Sequence, residues 1–315
     1  MCDLTHWSNC LVDDLEQLAI MSPGVPAGEV ARDFVNDVLS IHNSLKALPD
    51  LGPSKSVDDL FGRLVKRCCK IHGKLVVELA MSDESLKSIL PSLHSVCSNG
   101  EFLLEKHWGE QMARCEGPDE ARSILEEFPY YDNYKKLCLF EIMTVYGLGR
   151  KFRNAAIIGS GPLPLTSLFF LDEMKKEGGE GRVLNIDRDS EAIEISKAFR
   201  DGLGSRGEGM SFAQLDINEK SAPLETFEVV ILAALVGHTQ AEKEETIARV
   251  VRQMKVGAVL LVRSSWGLRK CLYPEFDASS ETFKSLVHVH IVAHPYGDVV
   301  NSVIAATVRP GVGRG

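Results

Sequence analysis

The sequence lacks the features of a membrane-spanning, secreted or nucleic-acid-binding protein. No stretch approaches the roughly 18 uninterrupted apolar residues of a membrane span. The segment from Met1 to Asp14 has acidic residues and no apolar run, which predicts that no secretory signal peptide is present. The formal net charge of −9 argues against the basic face that a nucleic-acid backbone requires. We therefore predict a cytoplasmic protein whose partner is a small molecule and not a nucleic acid or a membrane.

The cysteines and histidines show no spacing typical of a metal site or of a disulfide framework. The eight cysteines include no C-x-x-C pair, and they are scattered through segments with a helical pattern. This usage predicts reduced thiols in an intracellular protein. His288 and His290 alternate on a predicted strand, but no acid or cysteine accompanies them, so we expect no metal.

The first half of the chain has a helical pattern. Between Val30 and about Tyr146, apolar residues recur at steps of three and four, and no segment alternates with a period of two. The short polar residues from Ser82 to Ser85 predict a helix start, and Pro91 is expected to interrupt that helix or to open the next. We predict an all-α helical-bundle domain over residues 1–150 that contributes part of the wall of the functional site.

After residue 150 the pattern changes to apolar strands that alternate with helices. Strands are predicted at residues 155–159, 183–187, 210–215, 229–232 and 258–262, and helices at 163–176, 190–202 and 241–254. Continuous apolar strands separated by helices indicate a parallel sheet covered on both faces. Residues 287–293 and 299–308 flank a turn and predict a closing antiparallel hairpin. The expected fold is a Rossmann-like α/β domain over residues 151–309, followed by a flexible, glycine-rich tail at 310–315.

Polar and glycine residues follow three successive strands of this predicted sheet. Gly159 and Gly161 form a turn after the first strand, but Pro164 replaces the third glycine of a dinucleotide fingerprint. Asp187 ends the second strand, where an acid can bind ribose hydroxyls, and Asp216 follows the third, where an acid can accept from an adenine amino group. Ordinary helix caps would explain each aspartate singly. Together they predict an adenine-nucleoside site. The five parallel strands closed by a hairpin resemble a class I S-adenosylmethionine-dependent transferase domain.

Five segments resemble nicotianamine synthase, in the same order along the chain. They are residues 128–134 (FPYYDNY), 159–167 (GSGPLPLTS), 232–237 (LAALVG), 262–264 (VRS) and 301–304 (NSVI). The resemblance implies condensation of three S-adenosylmethionine molecules by 3-amino-3-carboxypropyl transfer, giving nicotianamine and three 5′-methylthioadenosines. S-adenosylmethionine would be the substrate, and no other cofactor is implied. A small-molecule amine methyltransferase and a non-catalytic nucleoside sensor stay open as alternatives, and the oligomeric state is not predicted.

The candidate site residues fall into three groups. Glu101 and Glu105 lie one helical turn apart on one face, and we predict that Glu105 and Tyr131 steer the attacking amine, with Glu101 as their neighbour. A solvated helix flank and packed tyrosines are the structural alternatives. The expected nucleoside-binding residues are Gly159, Ser160, Gly161, Pro162, Leu163, Thr166, Asp187, Asp216, Ala233 and Leu235. The expected substrate-binding residues are Tyr130, Tyr134, Arg263, which could hold a carboxylate in a bidentate fork, and Ser264.

Overall fold

The computed structural model describes residues 25–115 and 117–313. The first 24 residues of the predicted helical domain, with Cys2 and Cys10, lie outside the described part, as do the last two residues of the predicted tail. The six other cysteines are free thiols. Among the described residues, no helix has the length and apolar character needed to cross a bilayer.

Helices make up the described chain before residue 150. They are α1 (Ala27–Ala47), α2 (Lys55–Cys69), α3 (Lys74–Ser82), α4 (Glu84–Met112), α5 (Pro118–Glu127) and α6 (Tyr131–Gly147). The apolar stripe of α1 is buried, as its spacing predicts, with Phe34, Val38 and Ile41 in the core. Helices α1 to α4 share one core with Leu268 and Leu272 from the second half of the chain. The two halves are therefore packed together rather than joined only by a linker.

Helix α4 is longer than the sequence predicts. It begins after Asp83, whose carboxylate accepts hydrogen bonds from the backbone N–H groups of Ser85 (2.9 Å) and Leu86 (3.1 Å). The prediction that Pro91 ends a helix or opens a new one is wrong, because α4 continues through it. A proline removes one backbone donor, and here the buried side chains of Leu86 and Leu93 anchor the helix on both sides of it.

The second half forms a seven-stranded sheet with the order β3-β2-β1-β4-β5-β7-β6. Its strands are β1 (Asn154–Ile158), β2 (Arg182–Asp187), β3 (Met210–Gln214), β4 (Val229–Leu232), β5 (Val259–Ser264), β6 (Val287–Ala293) and β7 (Ser302–Val308). The first five are parallel, and β7 pairs antiparallel with both β5 and β6. The predicted Rossmann-like α/β fold with a closing antiparallel hairpin is confirmed.

Helices cover both faces of this sheet. They are α7 (Leu165–Lys176), α8 (Ser190–Gly202), α9 (Gln240–Val251) and α10 (Glu281–Leu286). Side chains of α5, α6 and α7 pack on one face, and side chains of α9 and α10 pack on the other. In the segment predicted to be a flexible tail, residues 310–313 form a turn. Its Val312 packs against the core between the sheet and helices α9 and α10.

Helix α4 crosses the loop that follows β1 at very close range. A Cβ atom on Gly109 would lie 2.5 Å from Ile195 Cγ2 and 3.0 Å from the backbone oxygen of Pro162. The missing side chain therefore lets α4 contact both α8 and the predicted nucleoside loop. Glu105, one helical turn earlier in α4, is thereby held above the carboxyl edge of the sheet.

We expect Gly109→Ala to destabilise the protein. Overpacking against a backbone oxygen costs about 1–3 kcal/mol, more than the roughly 1 kcal/mol that alanine gains over glycine within a helix. Gly62→Ala is the matched control, because it also lies within a helix but a Cβ there would have no neighbour within 4 Å. Thermal unfolding should show a lower Tm for Gly109→Ala and an equal or higher Tm for Gly62→Ala. An unchanged Tm for Gly109→Ala would contradict the close contact.

Candidate functional site

A cavity of about 1010 Å³ lies between the helical half and the carboxyl edge of the sheet. One wall is formed by the loops that follow β1, β2, β3 and β4. The opposite wall is formed by α2, α4 and the start of α6, together with Tyr273 and Asn301. The volume is at the upper end of the roughly 300–1,000 Å³ of ordinary ligand pockets. The cavity is therefore large enough for a nucleoside and a second molecule beside it.

The residues expected to hold the nucleoside all border this cavity. They are Gly159, Ser160, Gly161, Pro162, Leu163, Thr166, Asp187, Asp216, Ala233 and Leu235. They come together because parallel strands end at the same edge, so the four loops after β1, β2, β3 and β4 meet there. Strand order predicts the glycine turn, Asp187 and Asp216, and the other residues of this set come from the segments that carry the family resemblance.

Asp187 braces the glycine loop as well as facing the cavity. Its carboxylate accepts hydrogen bonds from the backbone N–H of Gly161 (2.9 Å) and of Asp189 (3.0 Å). Gly159 and Gly161 have positive φ angles of 77° and 67°, so the turn needs glycine at both positions. Each carboxylate oxygen accepts one of these bonds and keeps lone-pair capacity for a ligand hydroxyl.

Asp216 stabilises a local turn and also borders the cavity. Its side chain accepts from the backbone N–H of Asn218 at 2.9 Å, and its backbone oxygen accepts from Glu219 and Lys220. This is a local turn of the kind that aspartate favours after a strand. Asp216 also borders the cavity, so the turn and the contact with a ligand are compatible.

Two carboxyl groups and two phenols form a buried cluster on the opposite wall. The Tyr134 hydroxyl donates to Glu105 Oε1 and lies 3.3 Å from Glu101 Oε1. The Tyr273 hydroxyl donates to Glu101 Oε2 at 2.7 Å. All four residues border the cavity. The glutamates therefore face the cavity, and the alternative that they lie on a solvated flank of the helix is excluded.

Burial controls the ionisation of this cluster. It raises the pKa of Glu105 well above its ordinary value, and the neighbouring Glu101 carboxylate raises it further. The pKa of Glu101 is also raised by burial, although its hydrogen bonds from Tyr273 and Tyr134 oppose the shift. Burial and the adjacent carboxylates raise the pKa of both phenols, which stay protonated. The raised pKa makes the ionised Glu105 a stronger proton acceptor than an exposed glutamate.

Gly161 brings this cluster against the nucleoside loop. A Cβ atom at Gly161 would lie 2.6 Å from Glu105 Oε2, so only glycine lets the carboxyl group approach the loop this closely. Sequence reasoning assigned Gly161 to the nucleoside alone. In the structure Gly161 also contacts the carboxyl cluster, and so it joins that cluster to the predicted nucleoside loop.

The structure corrects the prediction that Tyr131 pairs with Glu105. Tyr131 does not border the cavity, and its ring packs against Phe169 with a centroid distance of 5.4 Å. Helix α6 begins at Tyr131, so Tyr130 and Tyr134, four residues apart, share the face toward the cavity. Tyr131 is rotated about 100° away from Tyr130. The partner of Glu105 is Tyr134.

Arg263 borders the cavity, but its fork is already occupied. Its Nε and Nη2 donate to the two carboxylate oxygens of the fully buried Glu141 at 2.7 and 3.0 Å, and Nη2 also donates to Thr166 Oγ1 at 2.8 Å. The prediction of a bidentate contact between Arg263 and a substrate carboxylate is therefore corrected. The pair instead ties α6 to the end of β5.

Ser264, unlike Arg263, does not border the cavity. Successive residues of a strand point to opposite faces, so Ser264 turns away from the site when Arg263 faces it. Its hydroxyl accepts from the backbone N–H of Phe276 at 2.8 Å. The expectation that Ser264 binds substrate is corrected to a structural role.

Sequence reasoning missed Tyr273. It follows the short 3-10 helix Gly267–Cys271 and lies 172 positions from Glu101, to which it donates a hydrogen bond. No local pattern distinguishes it from a packed tyrosine. Tyr273 and Glu101 come together because the helical half, which contains α4, packs against the α/β half.

Comparisons with known proteins agree with this architecture. The family model described as "Nicotianamine synthase protein" matches residues 28–310. Among curated relatives, "Nicotianamine synthase-like 5 protein" of Hordeum vulgare is 35% identical over 89% of this chain and 96% of that protein. "Nicotianamine synthase 1" of Arabidopsis thaliana is 31% identical over 86% of this chain and 83% of that protein.

Solved structures show the same fold. The crystal structure of an MtNAS mutant in complex with S-adenosylmethionine has a TM-score of 0.69 at 20% identity, over 88% of this chain and 98% of that one. The structure of MtNAS in complex with MTA and tNA also has a TM-score of 0.69, at 21% identity, over 87% of this chain and 98% of that one. The matching family model and relatives above 30% identity over most of the length establish that this chain belongs to the nicotianamine synthase family.

Proposed function

We propose that this protein condenses three S-adenosylmethionine molecules into nicotianamine and releases three 5′-methylthioadenosines. The observation that carries the proposal is the buried cluster of Glu101, Glu105, Tyr134 and Tyr273, which faces the predicted nucleoside loops across one cavity. Family membership and the S-adenosylmethionine bound to MtNAS support the choice of substrate. Because nicotianamine chelates metal ions, we propose a role in metal homeostasis. Because the described cysteines are free thiols, we propose that the protein acts in the cytoplasm.

Each transfer is a substitution at carbon. The neutral amine of the acceptor attacks the γ-carbon of the donor's aminocarboxypropyl group, a C–N bond forms and the C–S bond breaks. The electron pair goes to sulfur, so the sulfonium becomes the neutral thioether methylthioadenosine. The amine loses one proton for each bond formed. In the last transfer, the amine that attacks belongs to the same growing chain, and the four-membered azetidine ring closes.

We assign Glu105 as the base that accepts the proton lost by the attacking amine. Its carboxyl group is buried beside Gly161 and so lies where the nucleoside wall meets the opposite wall. A raised pKa lets it take a proton from an alkylammonium group more readily than an exposed glutamate could. Tyr134 orients this carboxyl group through its hydrogen bond. The aromatic faces of Tyr130, Tyr134 and Tyr273 are also suited to a cationic ligand.

The test of the proposed function needs one substrate only. Purified protein incubated with S-adenosylmethionine alone should form methylthioadenosine and nicotianamine in a ratio of three to one, measured by mass spectrometry. A methyltransferase would form S-adenosylhomocysteine and would require an added amine. If no methylthioadenosine appears without a second amine, the proposed function is wrong.

We expect Asp187→Ala to weaken the binding of S-adenosylmethionine by more than tenfold. Loss of a hydrogen bond to a charged group costs about 1.5–3 kcal/mol, and here the brace on Gly161 is lost as well. Isothermal titration calorimetry measures the change. Asp172→Ala is a control that removes the same charge, since Asp172 pairs with Arg206 away from the cavity. Equal affinity of the two variants would remove Asp187 from the site.

We expect Glu105→Gln to lower turnover by about a hundredfold or more, as for other general acid–base groups. The amide keeps the size of the side chain but cannot accept a proton. Because burial raises the pKa of Glu105, the folded state holds this proton more tightly than the unfolded state, and wild-type stability falls as pH rises above the ordinary glutamate pKa. In Glu105→Gln the free energy of unfolding should depend less on pH over this range, and the variant should not unfold more readily than the wild type at neutral pH.

The matched controls for Glu105→Gln are two tyrosine variants. Tyr134→Phe removes the hydroxyl that contacts Glu105 and should slow turnover, whereas Tyr131→Phe should leave it within about twofold because Tyr131 lies outside the cavity. Full turnover of Glu105→Gln, or a larger loss in Tyr131→Phe than in Tyr134→Phe, would contradict the assignment.

A further inference from the structure

Helix α9 carries a lysine that is buried without a counter-ion. Lys243 is 2% exposed, and its Nζ donates one hydrogen bond, to the backbone oxygen of Ala234 at 2.7 Å. Within the described chain, Lys243 forms no ion pair. Glu242 on the same helix is engaged elsewhere, since its carboxylate caps the helix through the N–H groups of His238 and Thr239.

Such a lysine is costly for the folded state. An ammonium group transferred from water to a protein interior loses its hydration, and a single backbone carbonyl does not replace it. Burial lowers the pKa of Lys243 to about 7. A methionine or leucine would fill the same space without this cost. A gain in stability therefore does not explain why a lysine is buried at position 243. Its hydrogen bond to the Ala234 carbonyl is the feature that does.

That contact lies on the segment of residues 233–237, which we call the β4 loop. Ala233, Ala234 and Leu235 border the cavity on the nucleoside side. On one side the loop touches the glycine turn, because a Cβ atom on Gly159 would lie 2.5 Å from Val236 Cγ2 and 3.2 Å from Ala233 Cβ.

On its other side the β4 loop rests on α9. Gly237 has a φ of 78°, and a Cβ atom there would lie 2.9 Å from Lys243 Cα. The loop is thus held between the glycine turn and Lys243, and the hydrogen bond to Ala234 is the polar contact of that support.

We propose that Lys243 is a positioning residue, which holds the β4 loop against the bound nucleoside through the Ala234 carbonyl. The inference rests on the proposed function, since it takes the nucleoside to be that of S-adenosylmethionine. Lys243 does not border the cavity, so it acts through the loop and touches no reacting atom. Without this hydrogen bond the wall formed by Ala233 and Leu235 is free to move away from the ligand.

The test is Lys243→Met, which keeps the length of the side chain and removes its donor. We expect the Kd for S-adenosylmethionine and for methylthioadenosine to rise about tenfold, the effect of one lost hydrogen bond. The kcat at saturating substrate should change less than threefold. The Tm should be equal or higher, because the buried charge is gone. A purely structural residue would give the opposite result, with a lower Tm and an unchanged Kd.

Gln253→Met is the matched control. Gln253 lies just beyond the end of α9 and is 8% exposed; its side chain accepts from Ala222 N–H and donates to the Arg249 oxygen. It does not border the cavity. This variant should lower the Tm and leave the Kd unchanged.

A second variant covers a failure of Lys243→Met to fold. Lys243→Gln keeps a shorter, neutral donor and should give a Kd between those of the wild type and of Lys243→Met. An unchanged Kd in a folded Lys243 variant, or a lower Tm as in Gln253→Met, would overturn the proposal. Failure of the proposed function would be visible separately, as an absence of methylthioadenosine from the wild-type reaction.

Discussion

The site depends on two carboxyl groups that are buried one helical turn apart. Burial disfavours the ionised form of both groups, and the neighbouring Glu101 raises the pKa of Glu105 further. Tyr134 and Tyr273 supply the hydrogen bonds that the pair needs, and Gly161 leaves the space for it beside the nucleoside loop. The cluster therefore joins the helical half of the chain to the α/β half. It also provides a proton acceptor where the cavity walls meet.

Close approach of backbones makes this arrangement possible. Gly109 lets α4 lie on the loop after β1, and Gly159 lets the β4 loop pack against the same turn. The ion pair between Glu141 and Arg263 fixes α6 to the end of β5. With the cavity enclosed by these contacts, an acceptor and an S-adenosylmethionine can be held in a fixed orientation, which is the main requirement of a substitution at carbon.

The sequence predicts the fold, and the residues that it predicts to bind the nucleoside all border the cavity. Strand ends of a parallel sheet share one edge, so Asp187 and Asp216 could be placed without knowing any distance. The opposite wall was harder. Helical spacing predicts that Glu101 and Glu105 share one face. The sequence does not show that Tyr134 rather than Tyr131 is the partner of Glu105, because the start of α6 decides which tyrosines face inward. The place of Tyr273 in the site depends on long-range packing against Glu101. The role of Arg263 depends on Glu141, a partner 122 positions away.

The central claim is that burial raises the pKa of Glu105 above that of an exposed glutamate. Infrared spectroscopy during a pH titration measures this through the carbonyl stretch of a protonated carboxylic acid. We predict that, as the pH is raised, part of this band persists in the wild-type protein beyond the ordinary glutamate range, and that this part is absent from Glu105→Gln. Loss of the whole wild-type band within the ordinary glutamate range, or an unchanged band in Glu105→Gln, would contradict the claim.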